Sequence, residues 1–326
     1  MKDQSPNPTA AETNSAGLLS RAVLWVTLLS SFTFIPSSFS ADDPGKCFAT
    51  PAEAVGALGK AVNGTDRAAF VVLFGPDSEW LANPDTVQGQ RELKEFVAAF
   101  NTTNRLVQES DQWMTLEVGA NAWPFPIPLV KTANGWCFDT AAGHDEILNR
   151  RIGHNELEVL RVMRAYVEAQ REYASKDRDG DEVLEYAQKI SSSPGRIDGL
   201  FWPPELNGEI SPLGPLFAQA QSEGYFGKKA DPEAGPQPFY GYLFKLLTRQ
   251  GKHAPGGKYD YVINGNMIGG FALVAWPIEY GESGVMTFIV NQQGRVYQRD
   301  LGKDTGRVVE RMKAYDPDAK WQASAD

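Results

Sequence analysis

Three aspartates alternate along the short stretch "KDRDGDEVLEY", and a glutamate follows them closely. The acidic side chains with this spacing are Asp177, Asp179, Asp181 and Glu185. Calcium binds several carboxylate and carbonyl oxygens at short range, so these four residues are candidate ligands for it. An EF-hand loop has Gly at its sixth position and Glu at its twelfth, whereas here Gly180 is fourth and Gln188 is twelfth. This departure favours the alternative of a solvated acidic turn that ends a helix.

The histidines and serines of the chain give little support for nucleophilic or metal chemistry. His144 and His154 are ten residues apart, which is not the i, i+4 spacing of a helical metal pair. His253 lies in the predicted loop "RQGKHAPGG", and Ser283 in "YGESG" lacks the G-x-S-x-G spacing of a hydrolase nucleophile. A hydrolase built on Ser283 and His253 is therefore a weak hypothesis. Because the chain also has no P-loop and no dinucleotide fingerprint, the sequence predicts no cofactor other than calcium.

Aromatic side chains are frequent in the C-terminal part of the chain and could contact a ligand. The candidate ligand-binding residues are Trp202, Tyr240, Tyr242, Tyr259 and Trp276. Together with neighbouring prolines, these rings could line a groove for a glycan, a peptide or an envelope protein. The alternative, which we favour, is that they are core residues and loop anchors of a small, Gly-rich sheet.

Two cysteines, Cys47 and Cys137, stand about 90 residues apart. The first precedes the first predicted helix and the second lies on the last predicted strand of the same domain, so we expect them to come close enough to bridge. In an oxidising compartment such a bridge would stabilise the fold by a few kcal/mol. Two separate buried thiols are the alternative. A metal pair is the weakest option, because no His or second Cys is near either residue.

Residues 48–140, the first of three predicted parts, should form a small α+β domain. The segment "TPAEAVGALGKAV" begins with Thr50 as a helix N-cap and Pro51 at the first helical position. The segments "WMTLEVG", "PFPIPLVKT" and "GWCFDT" follow as predicted strands. This order of elements resembles the cone-shaped nuclear transport factor 2-like fold. Domains of that type often hold a cavity, and the residues that would line it here are Trp113, Trp123, Phe125, Trp136 and Asp139.

Residues 143–190 are predicted to be a mostly helical segment that links two domains. Apolar residues recur there at helical spacing, including Val159 and Tyr166, with charged residues between them. Gly153 suggests a break in this helix. Asn155, followed three residues later by Glu158, could cap a fresh helix start at that point.

Residues 195–315 are rich in Gly and Pro and carry short β-type runs, which predict an antiparallel sheet domain. The stretch from Gly269 to Gly302 is predicted to form a strand and a hairpin with its bend at residues 291–294, "NQQG". A helix followed by such a sheet resembles the globular part of type IV pilins. Polymerisation is not expected, because a whole domain precedes the helix where a pilin has an apolar N-terminal helix.

Residues 1–41 are predicted to be a signal peptide. An apolar run follows Arg21, and the small residues Ser38, Ser40 and Ala41 fit a cleavage site near Ala41. An uncleaved anchor is the alternative, but Pro36 and several serines weaken it. The mature part has no long apolar run, so we expect no transmembrane span, and a periplasmic or secreted location. The 41 acidic and 31 basic residues give a net charge of -10, which argues against nucleic acid as a partner.

Several segments together carry a family resemblance that covers nearly everything from Phe48 to Tyr315. They are "RRIGHNELEVLRVMRAYVEAQREYA", "GLFWP", "FYGYLFKLLTRQG" and "FALVAWPIEYGESGVMTFIVNQQGRVYQRDLG". On these segments the chain resembles an uncharacterised bacterial secreted family, domain of unknown function 2950. The resemblance implies export and the three-part organisation, and it adds no catalytic residue.

These observations favour one functional hypothesis over another. The first is an exported, non-enzymatic binding or assembly module of the bacterial envelope, because the sequence shows no convincing nucleophile and base. The alternative is a hydrolase-like envelope enzyme that uses the pocket of the N-terminal domain. A cavity with two or more convergent ionisable groups would favour the enzyme, and a filled apolar interior would count against it.

Overall fold

The structure, a computed structural model, describes residues 45–64, 67–76, 78–225 and 237–324. The predicted signal peptide and its cleavage site lie outside these residues. The described residues all belong to one compact unit. Within the described ranges, no helix combines the length and the apolar character needed to cross a bilayer.

Three helices open the N-terminal half, which we define as residues 45–139. They are α1 (Pro51–Gly64), α2 (Arg67–Phe74) and α3 (Thr86–Thr102). The predicted start of α1 is confirmed, since Thr50 Oγ1 accepts a hydrogen bond from the Glu53 N–H at 3.2 Å. The apolar residues that recur along α1 are buried, so this face of the helix packs into the core.

A five-stranded antiparallel sheet completes the N-terminal half. Its strands are β1 (Asn104–Ser110), β2 (Trp113–Val118), β3 (Trp123–Pro124), β4 (Leu129–Thr132) and β5 (Gly135–Phe138). The main order is β1-β2-β4-β5, and β3 pairs with β2. Aromatic rings fill the space between helices and sheet: Phe74 and Phe138 have centroids 5.2 Å apart, and Phe96 and Phe125 stack at 5.3 Å. The core of this half therefore combines these rings with a majority of aliphatic side chains.

One helix, α4 (Thr140–Tyr173), joins the two halves without interruption. The predicted break at Gly153 is wrong: the residue lies on an exposed face, where a Gly costs some stability but does not end a helix. The predicted cap at Asn155 is also wrong. Its side chain is fully buried and makes tertiary hydrogen bonds instead of capping. The helix ends at Tyr173. The sequence predicted a mostly helical segment up to residue 190, but residues 174–190 are not helical.

The C-terminal half, residues 174–324, begins with a long irregular segment and a short helix, α5 (Gly214–Ser222). The strands that follow are β6 (Tyr242–Leu247), β7 (Arg249–Gln250), β8 (Tyr259–Asp260), β9 (Val262–Ile263), β10 (Asn266–Met267), β11 (Ala272–Pro277), β12 (Met286–Asn291), β13 (Tyr297–Asp300), β14 (Ala314–Tyr315) and β15 (Gln322–Ala323). Helix α6 (Thr305–Arg311) lies between β13 and β14.

The main sheet of this half has the order β15-β13-β12-β11-β6, and all its pairs are antiparallel. The predicted hairpin is confirmed, because β12 and β13 pair and the Gly294 N–H bonds to the Asn291 carbonyl at 2.8 Å. Helix α4 packs against the sheet side of the core, where the ring of Tyr166 meets Phe271 edge-on at 5.6 Å. The chain is thus an α+β protein whose two large sheets are antiparallel, as the sequence predicted, while the small sheet β14-β7-β8 contains one parallel pair, β14 with β7.

The two halves meet through a buried polar joint centred on Asp85. Its Oδ1 caps α3 by accepting from the Gln88 N–H at 3.1 Å. Its Oδ2 accepts from the Tyr225 hydroxyl at 2.7 Å and from the Gly241 N–H at 3.0 Å, both in the C-terminal half. Gln88 also donates to Asn155 of α4 at 2.9 Å. One carboxylate therefore holds a helix start and a turn of the other half together.

Candidate functional site

A cavity of about 320 Å³ lies in the C-terminal half, between α4, α5 and the main sheet. Helix α4 contributes Val162 and Tyr166 to its wall, while β6 and β11 contribute Phe244 and Leu273. The two α4 residues are four apart, so they project from one face of the helix. The volume is at the lower end of the range for small-molecule sites, about 300–1,000 Å³.

Helix α5 and the turn before β6 close another side of the cavity. Leu216 and Ala220 are four residues apart on α5, and Phe217 lies beside them. Phe239 enters the wall from the turn that precedes β6. This turn contains Tyr240, which is held at a positive φ of 50°, a conformation that costs a non-Gly residue some energy.

The interior of the cavity is apolar. Tyr166 is the one ionisable residue among the lining residues that the structure describes, and burial raises its pKa, so it stays neutral. Its hydroxyl is already bonded, since it donates to the Ala272 carbonyl at 3.4 Å and accepts from Gln170 at 3.0 Å. The two polar lining residues, Ser191 and Gln237, are exposed and stand at the mouth. The lining residues that the structure describes can hold an apolar ligand but offer no acid or base.

The predicted aromatic ligand-binding set is not brought together on one surface. Trp202 and Tyr242 are buried, at 1% and 0% exposure, so no sugar or peptide can stack on their ring faces. Tyr240 faces the joint, where its hydroxyl donates to Glu223 at 2.7 Å. Tyr259 is partly exposed on β8, and Trp276 is half-buried on β11. These rings serve mainly as core and anchors because a small sheet needs large side chains to exclude water.

The acidic turn does bring the three predicted aspartates together. Oxygens of Asp177, Asp179 and Asp181 lie within 4.8 Å of one another, and all three side chains are exposed. Hydrogen bonds from the N–H groups of Gly180 (2.8 Å) and Glu182 (3.0 Å) lower the pKa of the Asp177 carboxyl. Backbone donors therefore stabilise this negative charge without any ion.

The other acidic oxygens bind the neighbouring hairpin of β9 and β10. Asp181 accepts from Asn266 at 2.8 Å, and Glu185 accepts from the Met267 N–H at 2.9 Å. Glu185 thus serves to attach the turn to the sheet, and it does not join the three aspartates. The arrangement explains the acidic stretch as a docked turn, and calcium binding there stays the untested alternative.

Cys47 and Cys137 form a disulfide, with Cα atoms 4.4 Å apart. Cys137 is fully buried on β5. Two backbone hydrogen bonds flank the disulfide: the Phe48 N–H donates to the Trp136 carbonyl at 2.9 Å, and the Phe48 carbonyl accepts from the Trp136 N–H at 2.8 Å. The bridge therefore ties the segment before α1 to the last strand of the N-terminal sheet.

The histidines and Ser283 have separate structural partners. The backbone N–H and ring of His253 bond to Asp316, and the ring of His144 lies edge-on to Trp80. Ser283 is fully buried and bonds to the backbone of Glu279 at 3.1 Å. The geometry gives no support to a hydrolase built on Ser283 and His253.

The pocket predicted in the N-terminal half is occupied by structural contacts of its own residues. Trp136 is buried in the core, and Phe125 packs against Phe138 at 6.2 Å. Trp123 lies under the guanidinium of Arg150 at 5.1 Å. Asp139 caps α4 by accepting from the Ala142 N–H at 3.1 Å. Trp113 is half-buried on β2. These roles favour a filled interior over a catalytic pocket.

The sequence did not identify the cavity, although two of its aromatic residues, Phe239 and Phe244, lie in the region rich in rings. Nothing in the sequence apart from helical spacing distinguished Tyr166 and Leu216 as lining residues. No curated protein and no solved structure matches the chain at a significant level. The family described as protein of unknown function (DUF2950) matches residues 45–324, and the chain therefore belongs to that family.

Proposed function

We propose that this chain is an exported protein of the bacterial envelope that binds an apolar ligand without converting it. The cavity of about 320 Å³ is the observation that carries the proposal. The lining residues that the structure describes offer apolar contact and no charged group, which suits retention of a ligand and not acid–base catalysis.

Two features support the proposed location. The sequence of residues 1–41 has the pattern of a signal peptide. The disulfide between Cys47 and Cys137 is of a kind that persists mainly in oxidising compartments. N-terminal sequencing of protein from the periplasm or the medium should give a start near Ala41 or Asp42. A start at Met1 would contradict the proposed export by a cleaved signal.

The element order supports a finer proposal about the fold. Helices α1–α3 before a five-stranded antiparallel sheet are consistent with a cone of the nuclear transport factor 2 type, and α4 before an antiparallel sheet is consistent with a pilin-like shape. In this proposal the second shape serves as a ligand-binding scaffold. A solved structure of any member of the family would test both assignments.

A neutral fluorescent probe, N-phenyl-1-naphthylamine, would test binding. We expect its emission to rise on addition of the protein and the rise to be lost in Ala220→Phe, which fills the cavity wall. Leu157→Ala is the matched control, because Leu157 is 63% exposed on α4 and is not among the residues that line the cavity. Equal emission with all three proteins, or none with the wild type, would refute the proposed site.

A further inference from the structure

We infer that the cavity takes one unbranched alkyl chain of medium length whose neutral polar end stays at the mouth. This inference rests on the proposed function and narrows it to a ligand class. The evidence is the distribution of polarity along the cavity, its volume, and the absence of charge among the lining residues that the structure describes.

Polarity changes from one end of the cavity to the other. The mouth carries the exposed side chains of Ser191 and Gln237, while the floor is formed by Leu273 at 1% exposure and the ring of Tyr166 at 2%. A ligand that matches this gradient has one polar end and one apolar end. An all-apolar ligand would leave the mouth unused, and a ligand polar at both ends would bury an unpaired group.

The volume limits the length of the apolar part. A cavity of about 150 Å³ holds one benzene ring, and a water-sized group takes about 30 Å³ of liquid volume. A volume of about 320 Å³ therefore accommodates a chain of roughly ten methylene-sized groups. A second chain would not fit, which excludes two-chain lipids as whole ligands and leaves single-chain amphiphiles.

The side chains at the mouth of the cavity indicate the charge of the ligand's polar end. None of the lining residues that the structure describes is cationic, so a carboxylate or phosphate would lose hydration without gaining an ion pair from them. The hydroxyl of Ser191 can donate to or accept from a neutral hydroxyl, ester or amide. A fatty alcohol and a monoacyl glycerol share this chemistry, and they differ in the size of the polar end.

Competition against the naphthylamine probe would test the inference with three ligand types. We expect 1-alkanols from six to ten carbons to gain about fourfold in affinity per methylene, with no further gain beyond about ten. Ionised decanoate at pH 8 should bind at least tenfold more weakly than decanol. Monodecanoyl glycerol that binds as well as decanol would point to a lipid source, and weaker binding would point to a free alcohol.

Three variants connect the affinity to the cavity. Ser191→Ala should weaken decanol about fivefold and leave the probe unchanged, because one hydrogen bond to the polar end is lost. Ala220→Phe should abolish alkanol binding. Since Ala220 is buried and this variant could unfold, Leu216→Trp at a half-buried lining position provides a second obstruction with the same expected loss.

The outcomes separate the two proposals. If the probe binds but alkanols do not displace it, or decanoate competes as well as decanol, the ligand class is wrong and the proposed binding function stands. If affinity does not depend on chain length, the inference is also refuted. If the folded wild-type protein takes up neither probe nor alkanol, the cavity is no ligand site and both proposals fail.

Discussion

The N-terminal half and the C-terminal half of the molecule are stabilised internally in different ways. The N-terminal half has the smaller buried apolar cluster, and its ends are joined by the disulfide. The C-terminal half has the larger cluster, no cysteine, and the cavity. A small core leaves little excess of burial over chain entropy, so a covalent link contributes most there. A larger core can retain a void and still be stable.

The largest test of this comparison removes the disulfide. Cys137→Ala, or reduction of the wild type, should lower the free energy of unfolding by about 4 kcal/mol, because the bridge closes a loop of 90 residues. Urea denaturation under oxidising and reducing conditions would measure the loss. The reducing agent should not change Cys137→Ala any further. A loss below about 1 kcal/mol would mean that the N-terminal core does not depend on the link.

The next test addresses the joint between the halves. Asp85→Ala should destabilise by about 3 kcal/mol, since it removes the cap of α3 and leaves the Tyr225 hydroxyl and the Gly241 N–H without their acceptor. Asp304→Ala is the control: Asp304 precedes α6 but makes no side-chain cap bond, so a loss within about 0.5 kcal/mol is expected. Denaturation curves of both variants would decide. Equal losses in the free energy of unfolding would show that the joint stabilises the fold no more than an exposed aspartate does.

Two glycines of α4 sharpen the comparison along a single helix. At Gly143, next to the N-terminal half, an added Cβ would lie 2.5 Å from the buried Ile127 side chain, so Gly143→Ala should destabilise by about 2 kcal/mol. At Gly153 nothing lies within 4 Å of an added Cβ, so Gly153→Ala should stabilise by about 0.5–1 kcal/mol. Thermal melts of the two variants would show whether each one is stabilised or destabilised. A destabilised Gly153→Ala would imply that the helix is interrupted there after all.

The smallest effect is expected at the acidic turn of the C-terminal half. The backbone already stabilises the Asp177 carboxylate, so millimolar calcium should leave the melting temperature unchanged. An upward shift that Asp179→Asn removes would identify a cation site and replace our expectation. A shift that persists in Asp179→Asn would place the ion elsewhere.

The sequence predicted best those features that local chemistry determines. The bend at residues 291–294 follows from a Gly at a positive φ of 80°, and the start of α1 follows from a hydroxyl next to a proline. It failed where distant residues decide. Asn155 reads locally as a cap, but Gln88 and the carbonyl of Ser283 bind its amide inside the protein.

The candidate site was harder to predict because a void has no sequence signature. It depends on how α5 and the turn at Phe239 sit over α4 and the sheet, which are contacts between residues far apart in the chain. Aromatic composition indicated the correct region but not the residues. Trp202 and Tyr242 belong to the core, while Val162 and Leu216, which the sequence does not distinguish, line the cavity.

Helix α4 also fixes the distance and the rotation between the two halves. Its first turns pack on Ile127, and it carries Asn155 into the joint and Val159 into the C-terminal core. One inserted residue between Gly143 and Asn155 would rotate one half against the other by about 100° and shift it by about 1.5 Å. The Gln88–Asn155 and Asp85–Tyr225 bonds could not both survive that change. Relatives should therefore tolerate insertions in surface loops while the number of residues in this span stays fixed.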